Sequence, residues 1–320
     1  MSLKESLKKL ETRFGKGTVM KMSDKPLDAP RVTSGSLKLN IALGGGYAKG
    51  KIIEIFSEEA CGKTGLALEL VREVQNGGGT AAIIDAEHAL NPEYVESIGV
   101  NFSEVYISQP ESGEMAFEIA REFLRSGEID IIVFDSVSAL TPKSEIEGET
   151  GESKMGAQAR MMSQAMRQIT GAAANSECTL VFLNQLREKI GVMFGDPRVT
   201  SGGKALKFFA SQRLSISKSP IKDGKDVIGF TQKIQVVKNK VGVPFKKMER
   251  DIIYETGADV NGELLDVAVD LGIVEKNGSW FNYGETKLGQ GAAKVLDLFD
   301  DNEELKNEVE IKVLEKLAGE

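Results

Sequence analysis

The 320-residue chain is 41% hydrophobic and 28% charged, a composition that suits a globular protein with a full hydrophobic core. It holds no apolar run near the roughly 20 residues of a membrane span, and its N-terminus has no apolar signal region, so we expect a cytoplasmic protein. One histidine and two cysteines exclude a histidine-based triad, a multi-histidine metal site and a disulfide framework.

The net charge of −8 is unevenly distributed along the chain. Residues 295–320 hold nine acidic residues and three lysines, so the remainder is nearly balanced. Local charge decides binding to nucleic acid more than the total does, and the acidic total therefore does not exclude DNA.

The N-terminus carries an amphipathic pattern followed by a short apolar segment. A helix is predicted from apolar residues at helical spacing, namely Leu3, Leu7, Leu10 and Phe14. A brief strand is predicted at 17–22, before a proline-containing linker. A detached helix and strand favour an arm that docks on another subunit; packing on its own domain is the alternative that the pattern leaves open.

Apolar strands alternate with helical patterns through the middle of the chain. The strands are predicted at 52–56, 81–85, 105–108, 131–135 and 179–184. The helices are predicted at 64–75, 92–98, 114–125 and 157–173. This alternation is typical of an α/β fold with a mostly parallel sheet flanked by helices, in which ligands bind at the carboxyl ends of the strands.

The first of these strands runs into its helix through a segment typical of a phosphate-binding loop. The segment consists of Ser57, Glu58, Glu59, Ala60, Cys61, Gly62, Lys63, Thr64 and Gly65. Backbone N–H groups and the helix dipole favour an anion at such a helix start, where Lys63 would reach the β/γ-phosphates and Thr64 would ligate Mg²⁺. A helix that merely begins with Gly-Lys-Thr is the alternative.

Two features of this loop depart from the usual pattern. Ser57 stands where glycine is expected, and if the turn needs a positive φ there, serine costs on the order of 1 kcal/mol. Glu58 and Glu59 place carboxylates beside a site for phosphates, which would lower affinity.

Polar residues stand at the ends of three other strands. Asp135 has the form of a second nucleotide-site acid that holds Mg²⁺ or its water, and Glu87 that of a general base for an attacking water. Gln185 can sense the terminal phosphate. Singly, each is an ordinary strand-end residue, but together with the loop they favour phosphoryl chemistry.

Two glycine-rich segments indicate nucleic-acid contacts. Residues 186–207 hold five basic and two acidic residues around an apolar centre, as in an exposed, flexible loop that lines a DNA groove or closes an active site as a lid. Residues 147–160 precede a helix on which Arg160 and Arg167 share a face. That face contacts a nucleic-acid backbone or is simply solvated.

Beyond residue 211 the strands are predicted to be antiparallel, at 213–217 and 227–237. Lys238 and Lys240 lie on one face of a strand end, where they meet a phosphate across a subunit interface or protect a sheet edge from aggregation. A small lobe follows, with a helix at 262–271, a hairpin at 279–283 and two acidic helices at 291–299 and 303–317. It is regulatory, DNA-gathering or purely structural.

Together these residues resemble the bacterial RecA recombinase family over nearly the whole chain. The resemblance rests on RFGKGTVM, DAEHALNPEY, DSVSALTPKSEIEGE, MGAQARMMSQAMRQ, LNQLREKIGVMFG, GGKALKFFAS, VVKNK and GSWFNYGETKLGQG. It implies an oligomerisation arm at 1–30, an ATP- and DNA-binding RecA-type core at 31–258, and a small α+β domain at 259–320.

The resemblance also implies roles for single residues. Glu87 resembles the catalytic base, Asp135 the second nucleotide-site acid and Gln185 the γ-phosphate sensor. Tyr94 resembles the residue that stacks on adenine, with Asn91 beside it, and the lysine pair at 238 and 240 resembles lysines that reach a neighbour's ATP. The positions assigned to DNA are Met155, Arg160, Arg167, Arg187, Lys189, Arg198, Gly202, Gly203 and Lys204.

Departures from the family concentrate at the sites. Its loop reads GPESSGKTT, against SEEACGKTG here, and Gly65 replaces a better helix former at a cost of a few tenths of a kcal/mol. Asn91 replaces an aspartate near adenine. Glu188 adds an acid to the second DNA loop, which Arg198 and Lys204 offset. The chain ends soon after Leu317 without a long acidic tail, which would weaken autoinhibition.

The function expected from the resemblance is that of a DNA-dependent ATPase. It would form filaments on single-stranded DNA, pair them with a duplex, exchange strands, and promote self-cleavage of a LexA-type repressor. Its cofactors would be ATP and Mg²⁺; its partners would be DNA, further copies of itself and the repressor, without a membrane. The alternative is a DNA-binding filament or accessory protein that hydrolyses ATP weakly because of its altered loop. The N-terminal arm disfavours a closed-ring ATPase.

Overall fold

The computed structural model describes residues 2–16, 18, 19, 21, 30–149, 154, 156–188 and 198–319. The chain divides into two compact units, Met1–Pro30 and Arg31–Glu320. The first contains the predicted helix, α1 (Leu3–Phe14), which Ser2 and Glu5 cap reciprocally. None of the residues in this helix is buried. Of the strand predicted at 17–22, residues 18, 19 and 21 are described and are not in a strand, whereas 17, 20 and 22 lie outside the described residues.

The second unit combines a large sheet with helices and a C-terminal helical and antiparallel segment. Its helices are α2 (Leu37–Leu43), α3 (Lys63–Asn76), α4 (Pro92–Ser97), α5 (Gly113–Ser126), α6 (Lys143–Ile146), α7 (Ala157–Ser176), α8 (Ala205–Phe209), α9 (Val260–Asp270), α10 (Ala292–Asp301) and α11 (Glu303–Ala318). Its strands are β1 (Arg31–Val32), β2 (Tyr47–Ala48), β3 (Ile52–Ser57), β4 (Ala81–Asp85), β5 (Val105–Ser108), β6 (Ile131–Asp135), β7 (Thr179–Glu188), β8 (Arg198–Thr200), β9 (Gln212–Asp223), β10 (Asp226–Asn239), β11 (Lys247–Ile253), β12 (Gly257–Ala258), β13 (Glu275–Asn277), β14 (Trp280–Tyr283) and β15 (Thr286–Gln290).

The large sheet is parallel on one side and antiparallel on the other. Its order is β12-β11-β10-β9-β3-β7-β6-β4-β5, with β8 added to the end of β7. The strands from β9 to β5 pair in parallel. Those from β9 outward to β12 pair antiparallel. This mixed sheet carries the predicted parallel core and extends it with long antiparallel strands.

Two hydrophobic cores cover the two faces of the sheet. Successive strand residues point to opposite faces, so Ile53 and Val181 pack with α3 in one core, whereas Ile52 and Leu180 pack with α5 and α7 in the other. A third core joins α9, α10 and α11 to the three-stranded sheet β13-β14-β15. Strands β3, β4, β6 and most of β7 are thus buried on both sides. Because the parallel strands run in the same direction, their carboxyl ends lie at one common edge.

The structure confirms the α/β class and corrects several details. Helix α2 and strand β11 were not predicted. The predicted C-terminal hairpin is a three-stranded sheet in which Trp280 begins the middle strand. The division after Ala258 stays a prediction. Within the described residues, no helix combines the length and apolarity that a membrane crossing requires.

Candidate nucleotide and DNA site

The predicted phosphate-binding loop joins β3 to α3 at the carboxyl edge of the parallel strands. Positive φ values fall on Ala60 (53°) and Gly62 (79°). Ser57 is the last residue of β3 and pairs in register with Gln185 and Ile216. The turn does not need a positive φ at Ser57, so the strain considered for that case does not arise: the residue is extended, and a Cβ costs nothing there.

The start of α3 suits an anion. Gly62 is the N-cap of α3 and adopts the left-handed conformation. Because glycine has no side chain, it leaves the N–H groups of the first turn without a side-chain capping bond from the N-cap position. Those donors and the dipole of a 14-residue helix point at the space above the loop. The residues present therefore fit a phosphate group.

Lys63 is held within the loop itself. Its Nζ donates to Ser57 Oγ at 3.1 Å and to the Glu58 carbonyl at 3.0 Å. Burial lowers the pKa of this ammonium, while the charges of Asp135 and Glu87 oppose that shift. Ser57 thus supplies a neutral oxygen that holds the lysine at the mouth of the anion site.

Thr64 and Asp135 form a hydroxyl–carboxylate pair. Thr64 Oγ1 donates to Asp135 Oδ2 at 2.8 Å. Burial raises the pKa of Asp135 to about 6; the Thr64 hydrogen bond opposes this shift, and the charges of Glu87 and Asp85 add to it. Two oxygen donors side by side suit Mg²⁺, which completes its octahedron with water and ligand phosphates. No cluster of three or more His, Cys, Asp or Glu ligands occurs among the described residues.

Glu87 and Gln185 meet beyond the loop. Gln185 Nε2 donates to Glu87 Oε1 at 3.2 Å, and Ser136 Oγ donates to the same oxygen. On its other side, Gln185 Oε1 accepts from Arg187 Nη2 at 2.8 Å. The candidate sensor therefore connects the candidate base with a candidate DNA contact. The role of Ser136 was not predicted, although it directly follows Asp135.

Tyr94 of α4 lies beside the first turn of α3, and Asn91 stands at the start of α4. Asn91 Oδ1 accepts from the Glu93 N–H at 2.8 Å and so caps α4, a role that aspartate fills equally well. A Cβ on residue 65 would lie 2.7 Å from Tyr94 Oη. Gly65 therefore makes room for the Tyr94 hydroxyl, a relation that helix propensity alone did not suggest.

The second predicted DNA loop is ordered at its described ends. Strand β7 continues past Gln185 to Glu188 and pairs with β8, placing Arg187 opposite Val199 and Glu188 opposite Arg198. The expectation of a flexible loop from residue 186 was therefore wrong for these residues. Lys189 lies outside the described residues, as does Met155 of the first loop.

The bases of the two DNA loops are tied together by Gln158, which was not predicted. Its side chain donates to the carbonyls of Val137 and Leu140 and accepts from the Gly202 N–H at 3.1 Å. Gly202 and Gly203 are left-handed, with φ values of 78° and 77°. A Cβ on residue 203 would lie 2.7 Å from that of Ala159, so the glycines permit close packing against α7.

The remaining predicted DNA residues are exposed. Arg160 and Arg167 project from α7, and Lys204 lies at the N-cap of α8. Arg198 Nη1 lies 3.6 Å from Glu58 Oε1, so an ion pair joins β8 to the phosphate-binding loop. The sequence had suggested a DNA contact for Arg198 and an offset to the charge of Glu188, but not this ion pair.

Lys238 and Lys240 occupy a different place, at the end of β10. Both Nζ atoms donate to the Phe208 carbonyl, at 3.0 and 3.4 Å, and Lys238 also donates to the Lys207 carbonyl. Burial, together with the nearby charge of Lys240, lowers the pKa of Lys238 to about 8. The two cations thus share one face, held by carbonyls of α8.

Residues 1–259 match the family model of the RecA N-terminal domain, and residues 262–318 match that of the RecA C-terminal domain. The chain belongs to the RecA family. Three relatives named Protein RecA show how far the similarity extends. The sequence from Porphyromonas gingivalis is 51% identical over 321 residues, which is 99% of this chain and 94% of the relative. Those from Cytophaga hutchinsonii and Bacteroides thetaiotaomicron are 53% and 52% identical, over 99% of this chain and 90% and 97% of theirs.

Membership of the RecA family gives the geometry its biological setting. The family consists of DNA-dependent ATPases that act in homologous recombination, DNA repair and the SOS response. This chain is accordingly a recombinase and a DNA-dependent ATPase of that family.

Proposed function

We propose that this RecA-family chain assembles filaments on single-stranded DNA, pairs the bound strand with a homologous duplex and exchanges strands, with ATP and Mg²⁺ at the loop between β3 and α3. One observation carries the proposal. Gln185 is hydrogen-bonded on one side to Glu87 and on the other to Arg187, at 3.2 and 2.8 Å. A single side chain therefore connects the nucleotide site with the hairpin proposed to hold DNA.

The residues that hold the nucleotide follow from the loop. The N–H groups at the start of α3 and the Lys63 ammonium would bind its phosphates, and Thr64 and Asp135 would hold Mg²⁺. Tyr94 and Asn91 flank the position proposed for the base. When bound, ATP would supply the phosphoryl group that is transferred to water, and Mg²⁺ would offset the charge on its phosphate oxygens.

The residues around Glu87 would prepare that water. The Glu87 carboxylate can accept its proton, and the Ser136 hydroxyl fixes one of the two carboxylate oxygens. Gln185 is shared between Glu87 and Arg187 in the free chain. If Arg187 turns to a DNA phosphate, the Gln185 amide is released toward the terminal phosphate, which couples DNA binding to hydrolysis.

Other parts of the chain would act between subunits. Lys238 and Lys240 would reach the phosphates of a neighbouring copy, and the arm at 1–30 would add onto that copy, in line with the exposed apolar residues Leu3 and Phe14 of α1. The core at 31–258 would bind ATP and DNA, with a small domain at 259–320. We also propose cytoplasmic action and promotion of LexA-type repressor self-cleavage.

The test is ATP hydrolysis by the purified chain with and without single-stranded DNA, beside Lys63→Ala. Loss of the ammonium should lower DNA-stimulated turnover by about 10²-fold or more, as for other groups that stabilise transition-state charge. DNA binding without ATP should persist in the control. If the unaltered chain turns over no faster than the control while still binding DNA, the enzymatic proposal fails and the accessory-filament alternative replaces it.

A further inference from the structure

A buried polar network lies under the phosphate-binding loop, on the side away from the anion site. Arg250 of β11 donates two hydrogen bonds to the Glu69 carboxylate of α3, at 2.8 and 3.1 Å. Its Nε donates to Gln232 Oε1 of β10 at 2.9 Å. Gln232 and Arg250 are direct cross-strand partners, and both are at least 96% buried. The antiparallel extension of the sheet is thereby connected to α3.

Gln232 also contacts the loop directly. Its Nε2 donates to the carbonyls of Cys61 and Gly62, at 2.9 and 3.3 Å. A Cβ on residue 62 would lie 2.7 Å from that nitrogen, so the backbone at Gly62 packs directly against the Gln232 amide. The loop is therefore supported from below by one side chain.

These bonds fix the peptide groups that face an anion. In a trans peptide the C=O and the N–H point in opposite directions. The carbonyls of Cys61 and Gly62 share their peptide planes with the N–H groups of Gly62 and Lys63. Gln232 holds both carbonyls from below, and the Gly62 carbonyl also accepts from the Leu66 N–H of α3 at 3.1 Å. Both N–H groups are therefore directed upward, toward the space where phosphate binds.

Arg250 determines which way the Gln232 amide faces. A guanidinium has donors only, so the carbonyl end of Gln232 must face it and the NH₂ end must face the loop. Glu69 balances the buried charge and accepts both terminal nitrogens of the guanidinium, which keeps that group in place. The three side chains therefore form one continuous chain of hydrogen bonds, from Glu69 of α3 through Arg250 and Gln232 to the loop.

We propose that Glu69, Arg250 and Gln232 are positioning residues that hold the phosphate-binding loop in its anion-binding form before a nucleotide arrives. The inference rests on the proposed nucleotide site. It explains how a loop that departs from the family pattern at Ser57 and Gly65 keeps a functional shape: part of the support comes from outside the loop.

The test uses Gln232→Glu, which keeps the acceptor for Arg250 but replaces the NH₂ donors with a carboxylate. Gln235→Glu is the matched control, since it adds the same charge to the same strand at a half-buried position. The probe is a fluorescent ADP derivative, bound by the full-length chain without DNA. We expect the Kd of Gln232→Glu to rise by about tenfold or more for two lost hydrogen bonds, whereas that of the control stays within about twofold.

Thermal unfolding separates positioning from general stability. Without nucleotide, Gln232→Glu should unfold cooperatively at a midpoint below that of the control, because its carboxylate faces two buried carbonyls, and ADP should raise that midpoint less than it raises the control's. The second variant, Glu69→Leu with Arg250→Met, exchanges the buried ion pair for apolar side chains and so keeps the fold. It frees the Gln232 amide to rotate, and ADP affinity should fall several-fold with the unfolding midpoint retained.

The outcomes are distinguishable. If the unaltered chain binds ADP and Lys63→Ala does not, but Gln232→Glu and the double variant bind as the unaltered chain does, the positioning proposal is wrong and the nucleotide site stands. If the unaltered chain and Lys63→Ala bind ADP equally, the nucleotide site itself is wrong.

Discussion

The two sides of the phosphate-binding loop each carry an arginine–carboxylate pair, and the pairs differ in almost every other respect. Below the loop, Arg250 and Glu69 meet at 2.8 Å with side-chain exposures of 2% and 11%. Above it, Arg198 and Glu58 lie 3.6 Å apart with exposures of 49% and 69%. The lower pair is bidentate and belongs to a closed hydrogen-bond network, whereas the upper pair is solvated.

The difference shows what burial does to the same chemistry. A buried pair is expensive to break because one charge is left without water or partner, and it therefore fixes geometry. An exposed pair is worth at most about 1 kcal/mol, so Arg198 can leave Glu58 for a phosphate at little cost. The phosphate-binding loop is thus held firmly on the side of β10 and β11 and is adjustable on the side of the β7–β8 hairpin.

The largest effect on stability is expected when one partner of the lower pair is removed. Arg250→Met leaves the Glu69 carboxylate buried without its guanidinium, and we expect the free energy of unfolding to fall by about 3–5 kcal/mol. Urea denaturation measures this loss. Adding Glu69→Leu should restore most of it, because the second change removes the uncompensated charge. Equal stability of Arg250→Met and the unaltered chain would contradict the assigned burial of the pair.

Lys238 is half-buried, and its exposure thus lies between those of the lower and the upper pair. The loss of its positive charge should be visible near pH 8. Burial, then the charges of Lys240, Arg213 and Lys207, lower its pKa to about 8, and Glu54 opposes them. Because the depressed pKa belongs to a cation, the charge is present below pH 8 and is lost as the pH rises through that value.

If Lys238 reaches a neighbour's phosphate, DNA-stimulated ATP turnover should fall by up to about tenfold per pH unit above 8. Rate profiles between pH 6.5 and 9.5 measure the change. Lys238→Arg stays charged throughout this range and should flatten the profile. An unchanged profile in this variant would show that another group is responsible.

The sequence predicted the upper side of the loop far better than the lower side. Lys63, Thr64 and Asp135 are recognisable because the fold places helix starts and strand ends at one edge, and the structure brings the side chains of Thr64 and Asp135 within 2.8 Å. Local pattern suffices there, since each residue lies at the end of its own element.

The lower side could not be predicted because its members come from distant parts of the chain. Glu69, Gln232 and Arg250 meet only once the strand register between β10 and β11 is fixed, and β11 itself was not predicted. The backbone of the loop illustrates the same limit, since the sequence left open whether Ser57 needs a positive φ, and the structure places the positive φ values at Ala60 and Gly62 instead.

The smallest expected effect is that of the upper pair, and it tests whether exposure makes this pair adjustable. Glu58→Gln removes a carboxylate beside the anion site, so the Kd for ADP should fall by about two- to fivefold, corresponding to less than 1 kcal/mol.

Arg198→Gln should weaken binding to single-stranded DNA and lower the slope of log K against log salt by about 1, because one phosphate contact is lost. Glu59→Gln is the matched control, since it removes the same charge one residue further along the loop. The double variant Glu58→Gln with Arg198→Gln should show a coupling energy between the two substitutions of below about 1 kcal/mol. This coupling should vanish near 1 M salt, where surface charges are screened within about 3 Å. A larger, salt-resistant coupling would mean that the upper pair behaves like the lower one, and the loop would then be fixed on both sides.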